Sequence, residues 1–318
     1  MKHTFKRIAF LFPGQGSQYP GMAQDFFENF SAARLAFEEA DDLLRCPISQ
    51  MIRKGSEKEL TETKNSQIAI YIASIAILRV VNELYELTPF VCAGLSLGEY
   101  TALTAAGWLS FKETLPLVQY RGQFMNEACE SVKGTMAVVT GLEAAIVEKC
   151  VKELNLPHDL WVANFNCPGQ IVISGTMKGI EAGTAALKQY QPKRVLPLQV
   201  HGAFHSGLME MAREKLAVYI QRAPIEQGFA RLVMNVPGTI VQDVESVRRN
   251  LIDQVTSAVY WEAGIRAMEE EGVDLYIEFG PGKTLSGMNK RIGVKAPIMS
   301  IEKVEDLDRL SQLEKNKE

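Results

Sequence analysis

The sequence predicts an α/β fold in which a parallel sheet is flanked by helices and interrupted by one small inserted subdomain. Three observations carry this. Short apolar runs that stop at glycine or proline alternate with long helical patterns. Over residues 134–200 the texture changes to four strand-like runs and two helices. After that block the strand-and-helix alternation resumes. The chain has 318 residues, 47% of them hydrophobic and 23% charged, so a large core can be filled.

In chain order, residues 8–12 (Ile-Ala-Phe-Leu-Phe) form an unbroken apolar run that stops at Pro13-Gly14. This is the pattern of a strand buried on both faces of a parallel sheet. The run 90–93 ends at Gly94 in the same way. Helical patterns cover 66–87, 97–106 (closed by Gly107) and 111–129. Within the insert, strands fall at 135–139, 160–165, 170–174 and 194–199, with helices at 142–154 and 178–189. That βαββαβ order is the ferredoxin-like split unit. Beyond it come a strand at 231–235, helices at 244–254 and 261–271, and a strand at 275–279 that ends at Gly280-Pro281-Gly282. The last dozen residues are highly charged and are expected to fray.

Several function classes are disfavoured. The net charge of −4 gives no electrostatic reason for nucleic acid or an anionic membrane to be the main partner. Five widely spaced cysteines, no CxxC pair and only four histidines argue against a metal site and for reduced, mostly buried thiols in a cytoplasmic protein. The apolar run after the basic start is too short for a signal peptide. The longest apolar stretch, 68–78, is broken by Ser74 and closed by Arg79, short of the roughly 18 residues that span a bilayer, so it reads as a buried helix.

Gly94-Leu95-Ser96-Leu97-Gly98 is a G-x-S-x-G sequence placed after a buried strand and before a helix. In that sharp elbow, glycines let the backbone crowd while the serine hydroxyl projects over the sheet edge. The following helix aims its N-terminal N–H groups at the serine, where they favour a developing negative charge. A plain helix-capping serine is the bland alternative. A serine nucleophile needs a base, and the chain offers His3, His158, His201 and His205. His3 is terminal and His158 lies in a loop of the insert; His201 and His205 flank the return to the core, and spacing leaves both open. The glycine-rich turn Pro13-Gly14-Gln15-Gly16-Ser17-Gln18 can bring N–H groups close to a bound oxygen, but it lacks P-loop spacing. Gly282-Lys283-Thr284 has Ile277 where a P-loop needs its first glycine. Arg121 sits on an otherwise apolar helix face, where a guanidinium needs a carboxylate to hold.

These motifs together resemble the malonyl-CoA:acyl-carrier-protein transacylases, over nearly the whole chain and in order. The segment 12–18 is similar to that family's opening signature, 94–100 (Gly-Leu-Ser-Leu-Gly-Glu-Tyr) to its nucleophile elbow, and Tyr120-Arg121-Gly122 with Met125 to its carboxylate-binding helix. The resemblance implies a hydrolase-like catalytic core, residues 1–133 and 201–318, with a ferredoxin-like small subdomain at 134–200. It implies Ser96 as the acylated nucleophile and, from Gly202-Ala203-Phe204-His205-Ser206, His205 as base with His201 a bystander. It further implies an oxyanion hole from the N–H groups of Gln15 and Leu97, Arg121 gripping the malonyl carboxylate, and Gln254 orienting the histidine in place of an aspartate. Phe204 resembles malonyl-selective members. Asn164 and Asn166 are expected to line the cleft, although both also read as turn residues before Pro168-Gly169.

The implied reaction is a ping-pong transfer of malonyl from malonyl-CoA to the phosphopantetheine thiol of a holo acyl carrier protein, feeding fatty-acid or polyketide synthesis. No metal and no tightly bound cofactor are expected, and the oligomeric state, monomer included, stays open. A serine esterase or thioesterase shares the elbow and base but has no need of Arg121; a non-catalytic carrier-docking module needs none of the three. Two positions depart from the family: Ala258 stands where it often has proline, and Ile68 follows Gln67 where it usually reads Gln-Pro-Ala. The second lets the helix around residue 68 start earlier.

Overall fold

The run of five apolar residues after Arg7 forms strand β1 (Ile8–Phe12), buried along its whole length because it lies inside a sheet covered on both faces. The computed structural model describes residues 5–315. After β1 come α1 (Gln24–Asn29), α2 (Ser31–Leu44), α3 (Ile48–Lys54), α4 (Glu57–Thr61), α5 (Thr63–Leu84), β2 (Val91–Gly94), α6 (Gly98–Ala105) and α7 (Phe111–Ser131). Next come β3 (Gly134–Thr140), α8 (Ala144–Glu153), β4 (Leu160–Cys167), β5 (Gln170–Thr176), α9 (Met177–Leu187) and β6 (Arg194–Pro197). The chain closes with α10 (Glu210–Arg222), β7 (Arg231–Met234), β8 (Thr239–Val241), α11 (Val244–Asp253), α12 (Trp261–Glu270), β9 (Leu275–Phe279), α13 (Thr284–Ile292), β10 (Ile298–Ile301) and α14 (Leu307–Lys315).

The fold is mixed α/β, as the sequence predicts. One six-stranded sheet has the order β10-β9-β1-β2-β7-β8; its first five strands are parallel and β8 is an antiparallel edge. A second sheet of four antiparallel strands has the order β4-β5-β3-β6. One apolar core packs α2, α5, α7 and α10 against the large sheet; another lies on its opposite face under α12 and α13; a third fills the small sheet beneath α8 and α9.

Helix α5 is long and apolar enough to cross a bilayer by composition, but its side chains are buried nearly all round in the large core. It begins three residues before the predicted start, as the missing proline at position 68 allows, and stops at Tyr85, whose backbone is extended. The expectation that the last dozen residues fray is corrected. Residues 307–315 form α14, because Leu307 and Leu310 are buried and the Tyr85 hydroxyl binds the Leu307 carbonyl and the Ser311 hydroxyl. Residues 316–318 and His3 lie outside the described residues.

Candidate active site

β1 and β2 are neighbours with Phe12 opposite Gly94, so the glycine-rich turn and the serine elbow leave the sheet side by side. Three residues join β2 to α6, and Ser96 reverses the chain with φ +53°, in the left-handed region that a side chain enters at a cost of about 1–2 kcal/mol. Packing enforces the turn. A Cβ on Gly94 would lie 1.9 Å from the Gly98 carbonyl, and one on Gly98 would lie 2.1 Å from the Phe12 oxygen, so only glycine fits at either position. Asn235, just past β7, clamps the elbow: its Oδ1 accepts from the Ser96 N–H at 2.7 Å and its Nδ2 donates to the Gly94 carbonyl at 2.7 Å.

Of the two histidines that spacing left open, the structure brings His205 to the serine. His205 also has a left-handed backbone (φ +56°) and is 3% exposed, with Nε2 2.8 Å from Ser96 Oγ. Its Nδ1 lies 2.8 Å from the Gln254 carbonyl oxygen. A carbonyl only accepts, so Nδ1 carries the proton and Nε2 is left to take one from the serine. Burial, with the Arg121 charge adding to it, pushes the His205 pKa down to about 4, which keeps the ring neutral. His201 is exposed in a separate surface depression with Glu57, Glu62 and Glu130, and His158 is exposed.

Gln254 meets His205 through its main chain. Its side chain does other work: Oε1 accepts from Arg121 Nη2 at 2.8 Å, while Nε2 donates to the Ser96 carbonyl at 2.9 Å and to Glu99 Oε2 at 2.7 Å. Arg121 is 1% exposed; it also donates through Nη1 to Gln67 Oε1 and through Nη2 to Ser96 Oγ at 3.0 Å. None of these bonds goes to a carboxylate, and Arg121 Nε is buried without a partner among the described residues. The carboxylate nearest in the network is Glu99, reached only through the Gln254 amide.

A cavity of about 370 Å³ opens over Ser96 and His205. Gln15, Asn164, Asn166 and Phe204 line it, so the two asparagines of β4 face the same space as the elbow. Asn166 Oδ1 has no partner among the described residues. The N–H groups of Gln15 and Leu97 likewise have no acceptor there. The sequence reading missed Asn235, the linking part of Glu99, and the cavity-wall residues Met136 and Met288. Glu99 stood inside the quoted elbow segment, but nothing in its spacing shows what its carboxylate touches.

Residues 9–288 match the model of the acyl transferase domain family. The chain belongs to that family. Among similar members, the malonyl CoA-acyl carrier protein transacylase of Bacillus subtilis is 42% identical over 306 residues, 95% of each chain. That of Escherichia coli is 36% identical, over 90% of this chain and 93% of its own. A solved malonyl-transacylase, in complex with the holo acyl-carrier protein of a type II polyketide synthase, superposes with a TM-score of 0.92 at 36% identity and covers 98% of this chain. An acyl carrier protein S-malonyltransferase of Vibrio cholerae gives 0.91 at 34% identity.

Proposed function

We propose that this acyl transferase moves a malonyl group from malonyl-CoA to the phosphopantetheine thiol of an acyl carrier protein through an ester on Ser96. The observation that carries the reading is one oxygen with two partners: Ser96 Oγ lies 2.8 Å from the His205 nitrogen and 3.0 Å from Arg121 Nη2. The first partner is a base; the second is a buried cation beside the acyl group that the serine would carry.

In the first half-reaction His205 Nε2 takes the serine proton as Oγ attacks the thioester carbon. The unpartnered N–H groups of Gln15 and Leu97 support the assignment of an oxyanion hole beside the nucleophile. Collapse expels the CoA thiolate, which leaves with the proton held by His205. In the second half-reaction His205 takes a proton from the carrier thiol, which attacks the ester and restores Ser96 Oγ–H. The free carboxylate of malonyl supplies the acceptor that Arg121 lacks; an acetyl group would not. Phe204, Asn164 and Asn166 close the cavity around the acyl group and keep water off the ester.

The chain divides in this reading into a hydrolase-like core, 1–133 and 201–318, and a ferredoxin-like subdomain, 134–200. The antiparallel order β4-β5-β3-β6 supports the second part. The substrates dock at the mouth between the two, where α13 starts in the cavity wall; Lys290 and Arg291 on that helix and Lys283 just before it are exposed and suit a carrier of negative charge. Free thiols at all five cysteines suit a reducing cytoplasm.

Intact-mass measurement after acid quench tests the reading. Malonyl-CoA is expected to add one malonyl group to the parent and none to Ser96→Ala, and Arg121→Ala is expected to lose the preference for malonyl-CoA over acetyl-CoA. Steady release of free malonate without an adduct would make the protein a hydrolase instead.

A further inference from the structure

We propose that Glu99 is a positioning residue for acyl selection: its carboxylate fixes which way the Gln254 amide faces, and that amide holds Arg121 in place. The inference rests on the reading of Arg121 as the group that meets the malonyl carboxylate.

Glu99, Gln254 and Arg121 are each no more than 1% exposed, so water is not at hand to correct a mismatched hydrogen bond among them. Arg121 can only donate, and it therefore requires the oxygen of the Gln254 amide on its side. An amide of that shape fits almost as well turned over, with its NH2 toward the guanidinium. The groups on the far side decide. Gln254 Nε2 faces Glu99 Oε2 at 2.7 Å and the Ser96 carbonyl at 2.9 Å, both acceptors. The other carboxylate oxygen, Oε1, accepts from the Asn235 main-chain N–H at 2.6 Å, and that donor cannot turn. Glu99 thus presents acceptors in both directions, and the polarity runs one way: Asn235 N–H to Glu99, Gln254 NH2 to Glu99, Arg121 to the Gln254 oxygen.

Glutamine at position 99 keeps the shape and breaks this order. The Asn235 N–H claims the oxygen of the new amide, which turns its NH2 toward the NH2 of Gln254. Either two donors face each other, or Gln254 turns over and presents NH2 to Arg121. Both outcomes shift the guanidinium away from the acyl end. Aspartate at position 99 keeps an acceptor on both sides, on a shorter arm, and adds no donor, so the order survives.

The test compares acylation rates with malonyl-CoA and acetyl-CoA, by quench and intact mass, for the parent, Glu99→Gln and Glu99→Asp. Glu99→Gln is expected to lower the malonyl-to-acetyl rate ratio about tenfold or more, the size of a hydrogen bond to a charged group. Glu99→Asp is expected to hold the ratio to within about threefold of the parent, with slower transfer of both groups. A Glu99→Gln variant with the parent's ratio overturns the proposal. So does a Glu99→Asp variant that folds and transfers without the preference. If Glu99→Gln does not fold, Glu99→Asp decides by the same ratio. A parent with no malonyl preference, or an Arg121→Ala variant that keeps one, refutes instead the reading of Arg121, and this inference with it.

Discussion

The turns after β2 and after β9 are built alike. Each leaves the carboxyl end of a parallel strand and enters a helix beside a glutamate kept out of water: Glu99, in α6, is 1% exposed and Glu278, in β9, 0%. Burial pushes both acids up, while the donors that meet their oxygens, and the Arg121 charge near Glu99, favour the ionised form. They differ in what binds the oxygens. Glu278 accepts from the N–H groups of Leu285 at 3.0 Å and Ser286 at 2.8 Å, at the start of α13, and from the Ser300 hydroxyl. Main-chain groups have fixed directions and a hydroxyl rotates to suit, so the polarity of that acid goes no further. Glu99 instead binds a side-chain amide with two possible faces, and so its polarity reaches a charged group in the site. A buried acid acts at a distance only when a reversible group stands next to it.

The largest expected effect lies on the β2 side and removes the base itself. His205→Ala is expected to slow Ser96 acylation by about 10²–10⁴-fold, read as the burst of CoA thiol from malonyl-CoA. The depressed pKa fixes the sign of the pH dependence in the parent. Only the neutral ring accepts a proton, so the rate holds between neutrality and about pH 5 and is lost as pH falls through about 4. A midpoint near 6.5 would mean that His205 titrates as a solvated imidazole. A loss under tenfold in His205→Ala would mean that Ser96 draws its reactivity from Arg121, its other partner at 3.0 Å.

A smaller effect separates the two jobs in the elbow. Asn235→Ala removes the side-chain clamp on the Ser96 N–H and the Gly94 carbonyl but leaves the main-chain N–H that Glu99 accepts from. Both malonyl and acetyl transfer are expected to slow about tenfold while their ratio stays where it was. A change in the ratio would mean that the serine clamp and the Arg121 chain are one unit.

The parts of the site that were legible in the sequence are those whose signal is local. G-x-S-x-G between an apolar strand and a helix locates the elbow, because the glycines are dictated by contacts within a few residues and with the adjoining β1. Arg121 stood out as a charge on an apolar helix face. The resemblance then chose His205, which spacing alone had left level with His201. The four helices between residues 24 and 61 carry no strong single signal: three are short, and most of their order comes from packing on α5. Asn235 meets Glu99 across 136 positions of chain and Ser96 across 139, and no local pattern announces such a pairing. The charged tail misled for the opposite reason, since two leucines and one tyrosine hydroxyl outweigh its composition.

The smallest functional effect is expected at β9, and it sharpens the comparison most directly because the chemical change is the one made at position 99. Glu278→Gln places an NH2 where Leu285 or Ser286 offers an N–H, leaving a donor unmet at the start of α13. The cost falls on folding, about 1–3 kcal/mol, and is read as a lower melting temperature. Because Leu285 and Met288 form part of the cavity wall, KM for malonyl-CoA is expected to rise slightly. The malonyl-to-acetyl ratio is expected to stay within about twofold of the parent, since among the described residues Glu278 meets main-chain N–H groups and a hydroxyl, with no amide side chain or cation bonded to it. A ratio that collapsed here as well would mean that any weakening of the cavity wall erases acyl selection, and the distinction between the two glutamates would fail.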